Sequence, residues 1–311
     1  MTLRRVATTL GGALLAAAVL AACGGGSDTP ASPATTTDAA GKVAVVASTD
    51  VYGSIVRAVG GDRVDVTSII DDPAKDPHEY ETTPADALAV GKAAIVVVNG
   101  GHYDDFATKL VDSAETKPQT IDVSVLSGLE AQVPAGEEFN EHVWYSLPTM
   151  KKLADTLAAD LGKVDAAGAA TYTANAAAFS TKLDGLTAKL DAISTKHGGA
   201  AVAITEPVPL YMIDAAGLKN VTPEAFSEAV EEGNDPPAAV LQQTLSVFGS
   251  GVAKVLVSNA QTESPATQQV EQAATAAGVP VVKVTETLPA GVTDYVSWQS
   301  QQIDALTTAL G

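Results

Sequence analysis

A chain of 311 residues with 46% hydrophobic side chains exceeds the size at which one core usually suffices, so two lobes or domains are expected. Aromatics are only 5%, which leaves Ala, Val, Leu and Ile to do most of the packing. The formal charge is −19, from 18 basic and 37 acidic residues; it argues against nucleic acid and anionic lipid as electrostatic partners and suits a protein that handles cations.

The first segment, MTLRRVATTLGGALLAAAVLAAC, has a basic start (Arg4, Arg5), an apolar run of signal length and then small residues. It ends on Leu20-Ala21-Ala22-Cys23, which resembles a bacterial lipoprotein signal (residues 1–22) cleaved before a lipid-bearing cysteine. A plain secretory signal and an N-terminal membrane anchor are the alternatives. Cys23 is the only cysteine, so no intramolecular disulfide can form. Residues 24–41, GGGSDTPASPATTTDAAG, carry almost no large apolar side chain and read, behind Cys23, as a disordered linker. Loss of residues 1–22 removes two arginines and no acids, taking the charge from −19 to −21.

Strands and helical stretches alternate from Lys42 onward. VAVVAST (43–49), VDVTSII (64–70), AAIVVVNG (93–100) and QTIDVS (119–124) are strand runs, with amphipathic stretches between them. The near-continuous apolar character of 93–100 fits a parallel strand covered on both faces. The second half repeats the scheme with AAVAIT (200–205), KVLVSNA (254–260) and VPVVKVT (279–285). The pattern predicts an α/β chain with one parallel sheet in each half. Between the halves, Tyr172, Ala176, Phe179, Leu183, Leu186, Leu190 and Ile193 form one apolar helical stripe. A helix from about Asp165 to Ser194 would be roughly 45 Å long, enough to join two lobes as a strut. A coiled-coil seam to another chain is the alternative reading of this stripe.

The polar residues cluster by position. His78, in DPHEYE, follows the strand 64–70; Glu206, in ITEPVPLYM, follows the strand 200–205; Glu263, in SNAQTES, follows the strand 254–260. His142, in FNEHVWYSLPTM, precedes a helix that Pro148 would start. Ligand sites of open parallel sheets lie beyond the carboxyl ends of the strands, where three of these four fall. Two imidazoles with one or two carboxylates make a sensible set for a divalent first-row metal. Asp76 and Glu79 flank His78 as groups that would fix its tautomer. His102 reads as a residue at the mouth of the cleft, and His197 as the basic end of the long helix. No Ser/His/Asp or Cys/His constellation and no glycine-rich phosphate loop competes with this reading.

DPHEYETTP, NEHVWYSLP, ITEPVPLYM and VTETLPAGVTDYVSWQ together resemble the metal-binding solute receptors of zinc and manganese ABC importers, the cluster A-I or zinc-uptake/TroA-like family. The resemblance spans residues 42–311. It implies two Rossmann-like lobes, 42–163 and 198–311, joined by one rigid helix (164–197), with a single metal ion in the interlobe cleft. It implies no catalysis: the receptor captures Zn²⁺ or Mn²⁺ as transported ligand and hands it to an ABC permease and its ATPase, working as a monomer tethered outside the cytoplasm by the lipid on Cys23. His78 and His142 match the two histidine ligands, and Glu206 the third position, where the family has His or Glu. The fourth, usually Asp, falls on Glu263, with Asp235 or a water as alternatives. Two His with two carboxylates look manganese-like, and the His-rich loop common in zinc members is absent, yet intrinsic affinity favours Zn²⁺. A zinc metalloenzyme outside the cytoplasm and a metal-stabilised surface adhesin are the rival classes.

Overall fold

The apolar runs fall in two parallel sheets in the computed structural model, which describes residues 41–136 and 138–311. Cys23 and the signal and linker readings lie outside the described residues. The first half runs β1 (Val43–Thr49), α1 (Asp50–Gly60), β2 (Val64–Ile70), α2 (Pro84–Lys92), β3 (Ile95–Val98), α3 (Asp105–Ser113), β4 (Gln119–Asp122) and α4 (Val123–Ser127). Two long helices follow, α5 (Leu147–Val164) and α6 (Ala169–His197). The second half runs β5 (Ala201–Ile204), α7 (Leu210–Ala215), β6 (Lys219–Asn220), α8 (Glu224–Glu231), α9 (Ala238–Gly249), β7 (Val255–Asn259), α10 (Pro265–Ala276), β8 (Val281–Val284) and α11 (Tyr295–Leu310).

The two sheets share one topology. Their orders are β2-β1-β3-β4 and β6-β5-β7-β8, and all pairings are parallel, such as Val45↔Val66 and Val45↔Ile95 in the first and Val202↔Val255 in the second. Each sheet is covered on both faces, which is why its central strands read as unbroken apolar runs. Val46, Ile70, Val96, Val98, Phe106 and Leu110 pack on one face of the first sheet. Ala203, Phe226, Leu256 and Val270 do so on the second. A third, larger cluster takes the opposite faces of both sheets and continues through α5, α6 and α11.

The strut is α6. Its buried residues are Tyr172, Ala176, Phe179, Leu183, Leu186, Leu190 and Ile193, the stripe visible in the sequence. It packs on α1 and α5 toward one lobe and on α7 and α11 toward the other. It begins at Ala169 rather than near Asp165 because Asp165 is engaged locally. That carboxylate accepts from Gly168 N, closing a 3₁₀ turn over Ala166–Gly168, and from Tyr172 Oη, and it pairs with Arg63 at 2.6 Å. Pro148 lies in the first turn of α5, whose N-cap Ser146 accepts from Thr149 N. Among the described residues no helix is long and apolar enough to cross a membrane. The two-residue strand β6 is too short to leave a period in the sequence, and it went unread there.

Candidate metal centre

In both sheets the strand order turns around between the first and third strands, and the loops after β2, β3, β5, β7 and β8 help to line a cavity of about 600 Å³. His78 enters it from the loop after β2 and Glu206 from two residues beyond β5. Glu286 stands two residues beyond β8, and Glu231 is the last residue of α8. Glu141 also lines the cavity, and His142 N-caps the 3₁₀ turn Val143–Tyr145 that leads into α5. Ten of the lining residues are Asp or Glu, and none of those described is Lys or Arg.

The two imidazoles converge on one carboxylate. His142 Nε2 lies 3.2 Å from Glu231 Oε1, and His78 Nε2 lies 3.5 Å from the same oxygen and 3.9 Å from Glu141 Oε1. One ligand atom each from His78, Glu141 and Glu231 fits within a 4.8 Å group. The His142 side chain is 0% exposed, and that of His78 33%. The ring of His142 is oriented from behind: Nδ1 lies 2.7 Å from Asn140 Oδ1, an oxygen that can only accept, so Nδ1 carries the proton. In the neutral ring that leaves the Nε2 lone pair on the side of Glu231. His142 Nε2, Glu206 Oε1 and Glu231 Oε2 are all buried without a hydrogen-bond partner. His142 Nε2 meets Glu231 only as an ion pair, and buried carboxylate oxygens left over in an acid-lined cavity fit a site built for a cation.

Asn259, at the end of β7, organises the opposite wall. Its Nδ2 donates to Glu206 Oε2 at 2.5 Å and to Glu286 Oε1 at 2.7 Å, with Thr262 Oγ1 also 3.0 Å away. Burial pushes the Glu206 carboxyl up to about 8, and the charges of Glu231 and Glu286 add to this against the Asn259 hydrogen bond. Glu286 is raised as well, by burial first. Burial works against the His142 cation, yet Glu231, Glu141 and Glu286 outweigh it and hold the imidazole at about 9. His78 is raised in the same way against its own burial, chiefly by Glu231. Glu231 is held below the usual carboxylate range: burial opposes this, but His142 and His78 prevail.

Tyr103 forms a floor beneath the histidines. Its ring stands edge-on to His78 at 5.1 Å and to His142 at 6.0 Å, and it packs on Trp144 at 4.5 Å. The turn that delivers it has three consecutive left-handed residues, Gly100, Gly101 and His102 (φ 72°, 62° and 72°). A Cβ on Gly100 would lie 2.4 Å from the Asp122 carboxylate, and one on Gly101 2.8 Å from Phe139, so only glycine fits at both. The buried Asp104 carboxylate ties the turn by accepting from the amides of Asn99 and Gly100.

Of the residues singled out in the sequence, His78 and Glu206 line this cavity, and His142 lies buried behind its wall in contact with the lining Glu231. Glu263 is a correction. It is exposed, in the loop just before the Ser264 cap of α10, and does not line the cavity; Asp235 is exposed and outside the lining as well. The carboxylate beside Glu206 is instead Glu286. Asp76 lines the cavity, but its carboxylate accepts from the backbone amide of His78 at 2.8 Å and so shapes the turn rather than the ring. Glu79 is exposed at the cavity edge. His102 also lines the cavity, with a side chain 93% exposed. Sequence reasoning missed Glu286, Glu231 and Glu141. Glu286 had a signal, since Val284-Thr285-Glu286 repeats the strand-end pattern Ile204-Thr205-Glu206. Glu231 had none beyond its place at the end of an acidic helix.

Comparison with known proteins agrees with this geometry. The family model for the periplasmic zinc-uptake complex component A matches residues 45–309. The metal ABC transporter substrate-binding lipoprotein ScbA of Streptococcus cristatus is 31% identical over 162 residues, 49% of this chain and 52% of ScbA. The manganese ABC transporter substrate-binding lipoprotein scaA of Streptococcus gordonii matches with the same identity and coverage. The chain thus spans about half the length of the curated relatives it matches. Among solved structures, the periplasmic zinc binding protein TroA from Treponema pallidum superposes with a TM-score of 0.74 at 18% identity, over 87% of this chain and 100% of that one, which shows a shared fold.

Proposed function

This chain belongs to the family of the periplasmic zinc-uptake complex component A, and on that premise we propose that it is a solute-binding receptor which captures Zn²⁺ or Mn²⁺ outside the cytoplasm and delivers it to an ABC permease and its ATPase. One observation carries the metal reading: His78 and His142 both face the Glu231 carboxylate at the wall of a cavity lined by ten acids, with Glu206 and Glu286 also in its lining. His78 and His142 would supply nitrogen from the lobe 42–163; Glu206 and Glu286 would supply oxygen from the lobe 198–311, with the helix segment 164–197 between them. The ion is cargo, bound and released unchanged, and the protein is not an enzyme. The lipoprotein names of both relatives support a lipid anchor on Cys23, and hence a cell-surface location. The receptor works as a monomer.

The deciding experiment is calorimetric titration of the metal-stripped protein with ZnCl₂ and MnCl₂. One ion bound per chain, with binding lost in both His78→Ala and His142→Ala, is the expected result. No binding at micromolar metal ends the receptor reading, and metal-dependent turnover of an ester or peptide favours a metalloenzyme instead.

A further inference from the structure

We propose that Glu231 is a direct ligand of the captured ion and the residue that turns the site toward oxygen-preferring ions such as Mn²⁺. The proposal rests on the receptor reading above and extends its ligand set to a residue outside every motif that carries the family resemblance. Glu231 Oε1 lies 3.2 Å from His142 Nε2 and 3.5 Å from His78 Nε2. Donor atoms about 2.1 Å from a tetrahedral ion stand about 3.4 Å from each other. The two separations match those of ligands around an ion; in the metal-free protein the same approach is an ion pair of the two imidazoles with Glu231, which a bound ion would replace.

The setting of Glu231 argues the same. It closes α8, whose buried Phe226 and Val230 anchor the helix in the core, and Gly233 (φ 69°) turns the chain away just beyond it. The carboxylate is therefore held by rigid backbone, with Oε2 buried and unpartnered. A carboxylate at a helix C-terminus meets the negative end of the helix dipole, so the position favours the group only when a cation sits against it. With Glu206 and Glu286 across the cavity and Glu141 beside His78, Glu231 raises the candidate donors to four carboxylates and two imidazoles. That exceeds the four of a closed tetrahedral zinc site and shifts the set toward oxygen.

The test compares the metal-stripped wild type with Glu231→Gln and Glu231→Ala, each titrated with MnCl₂ and with ZnCl₂. Metal-free melting curves first establish that both variants fold. In Glu231→Gln the Mn²⁺ dissociation constant is expected to rise about tenfold or more, as ligand charge is lost, while that for Zn²⁺ rises clearly less. Bound Co²⁺ gives a second readout, since its visible absorption strengthens as coordination falls from five or six toward four. Mn²⁺ affinity unchanged in both variants, or Mn²⁺ and Zn²⁺ weakened equally, overturns the assignment. Failure of the wild type itself to bind either ion would instead overturn the receptor reading on which it rests.

Discussion

At the scale of single residues, two buried carboxylates share one amide donor. Asn259 Nδ2 donates to both Glu206 and Glu286, and without a cation or a proton between them the two acids repel. Glu206→Ala is therefore expected to weaken metal binding by about 10- to 100-fold, whereas Glu263→Ala, in an exposed loop, leaves it unchanged. Equal losses measured by calorimetry would return Glu263 to the ligand set. The pH dependence follows from the same groups. With His142 raised to about 9 and Glu206 to about 8, both hold protons at pH 7 in the metal-free protein. Binding must displace those protons, so affinity rises with pH, by about tenfold per unit for each proton released. Titrations between pH 6 and 8 in buffers of different ionisation heat measure the release directly; a flat profile contradicts it. His78, His142 and Glu206 were legible in the sequence because each lies near a strand end or helix start that the sequence also shows. Glu263 misled because it follows β7 by position, while the chain there is already turning into the Ser264 cap of α10. Glu231 was illegible, since which face of α8 meets the cavity is decided by packing against the second sheet.

At the scale of elements, one side chain joins the His78 loop to the carboxylate wall. Gln261 Nε2 donates to Pro73 O and to Thr287 Oγ1, both at 2.7 Å, and its Oε1 accepts from the amides of Glu286 and Thr287 at 2.6 and 3.0 Å. Its own amide donates to Asn259 Oδ1, so the chain of bonds runs from Glu206 to the turn that carries His78. Gln261→Ala leaves two backbone amides and a carbonyl without these partners, at a cost of about 1–3 kcal/mol. The expected outcome is weaker metal binding at unchanged stoichiometry, with faster metal release in a chelator-competition assay. Unaltered release would make the network one of folding alone. The strands and the α6 stripe could be read in advance because periodicity is local. The Gln261 link could not, since it spans 188 residues of sequence and depends on how the halves meet.

At the scale of the whole molecule, two sheets of one topology present their carboxyl ends to the same cavity, and the chain's acidic excess is concentrated there. Asp76, Glu79, Glu138, Glu224, Glu228 and Glu232 line the cavity beyond the groups assigned to the ion. Glu228 is raised above the usual carboxylate value, first by burial and then by the charges of Glu224, Glu138 and Glu232, as expected where like charges are crowded together. Such a lining focuses field lines on the cavity and raises the local concentration of divalent cations. Mobile ions screen exposed charges within about 10 Å at 0.1 M salt, whereas contacts to buried ligands are screened far less. The association rate should therefore fall steeply between about 0.01 and 0.5 M NaCl while the dissociation rate hardly changes. Stopped-flow mixing with a fluorescent chelator in competition separates the two rates. Neutralising Glu224 and Glu228 together, as Glu224→Gln and Glu228→Gln, should flatten the salt dependence of association and leave dissociation as it was. An effect confined to dissociation would place these acids among the groups that hold the ion rather than those that draw it in.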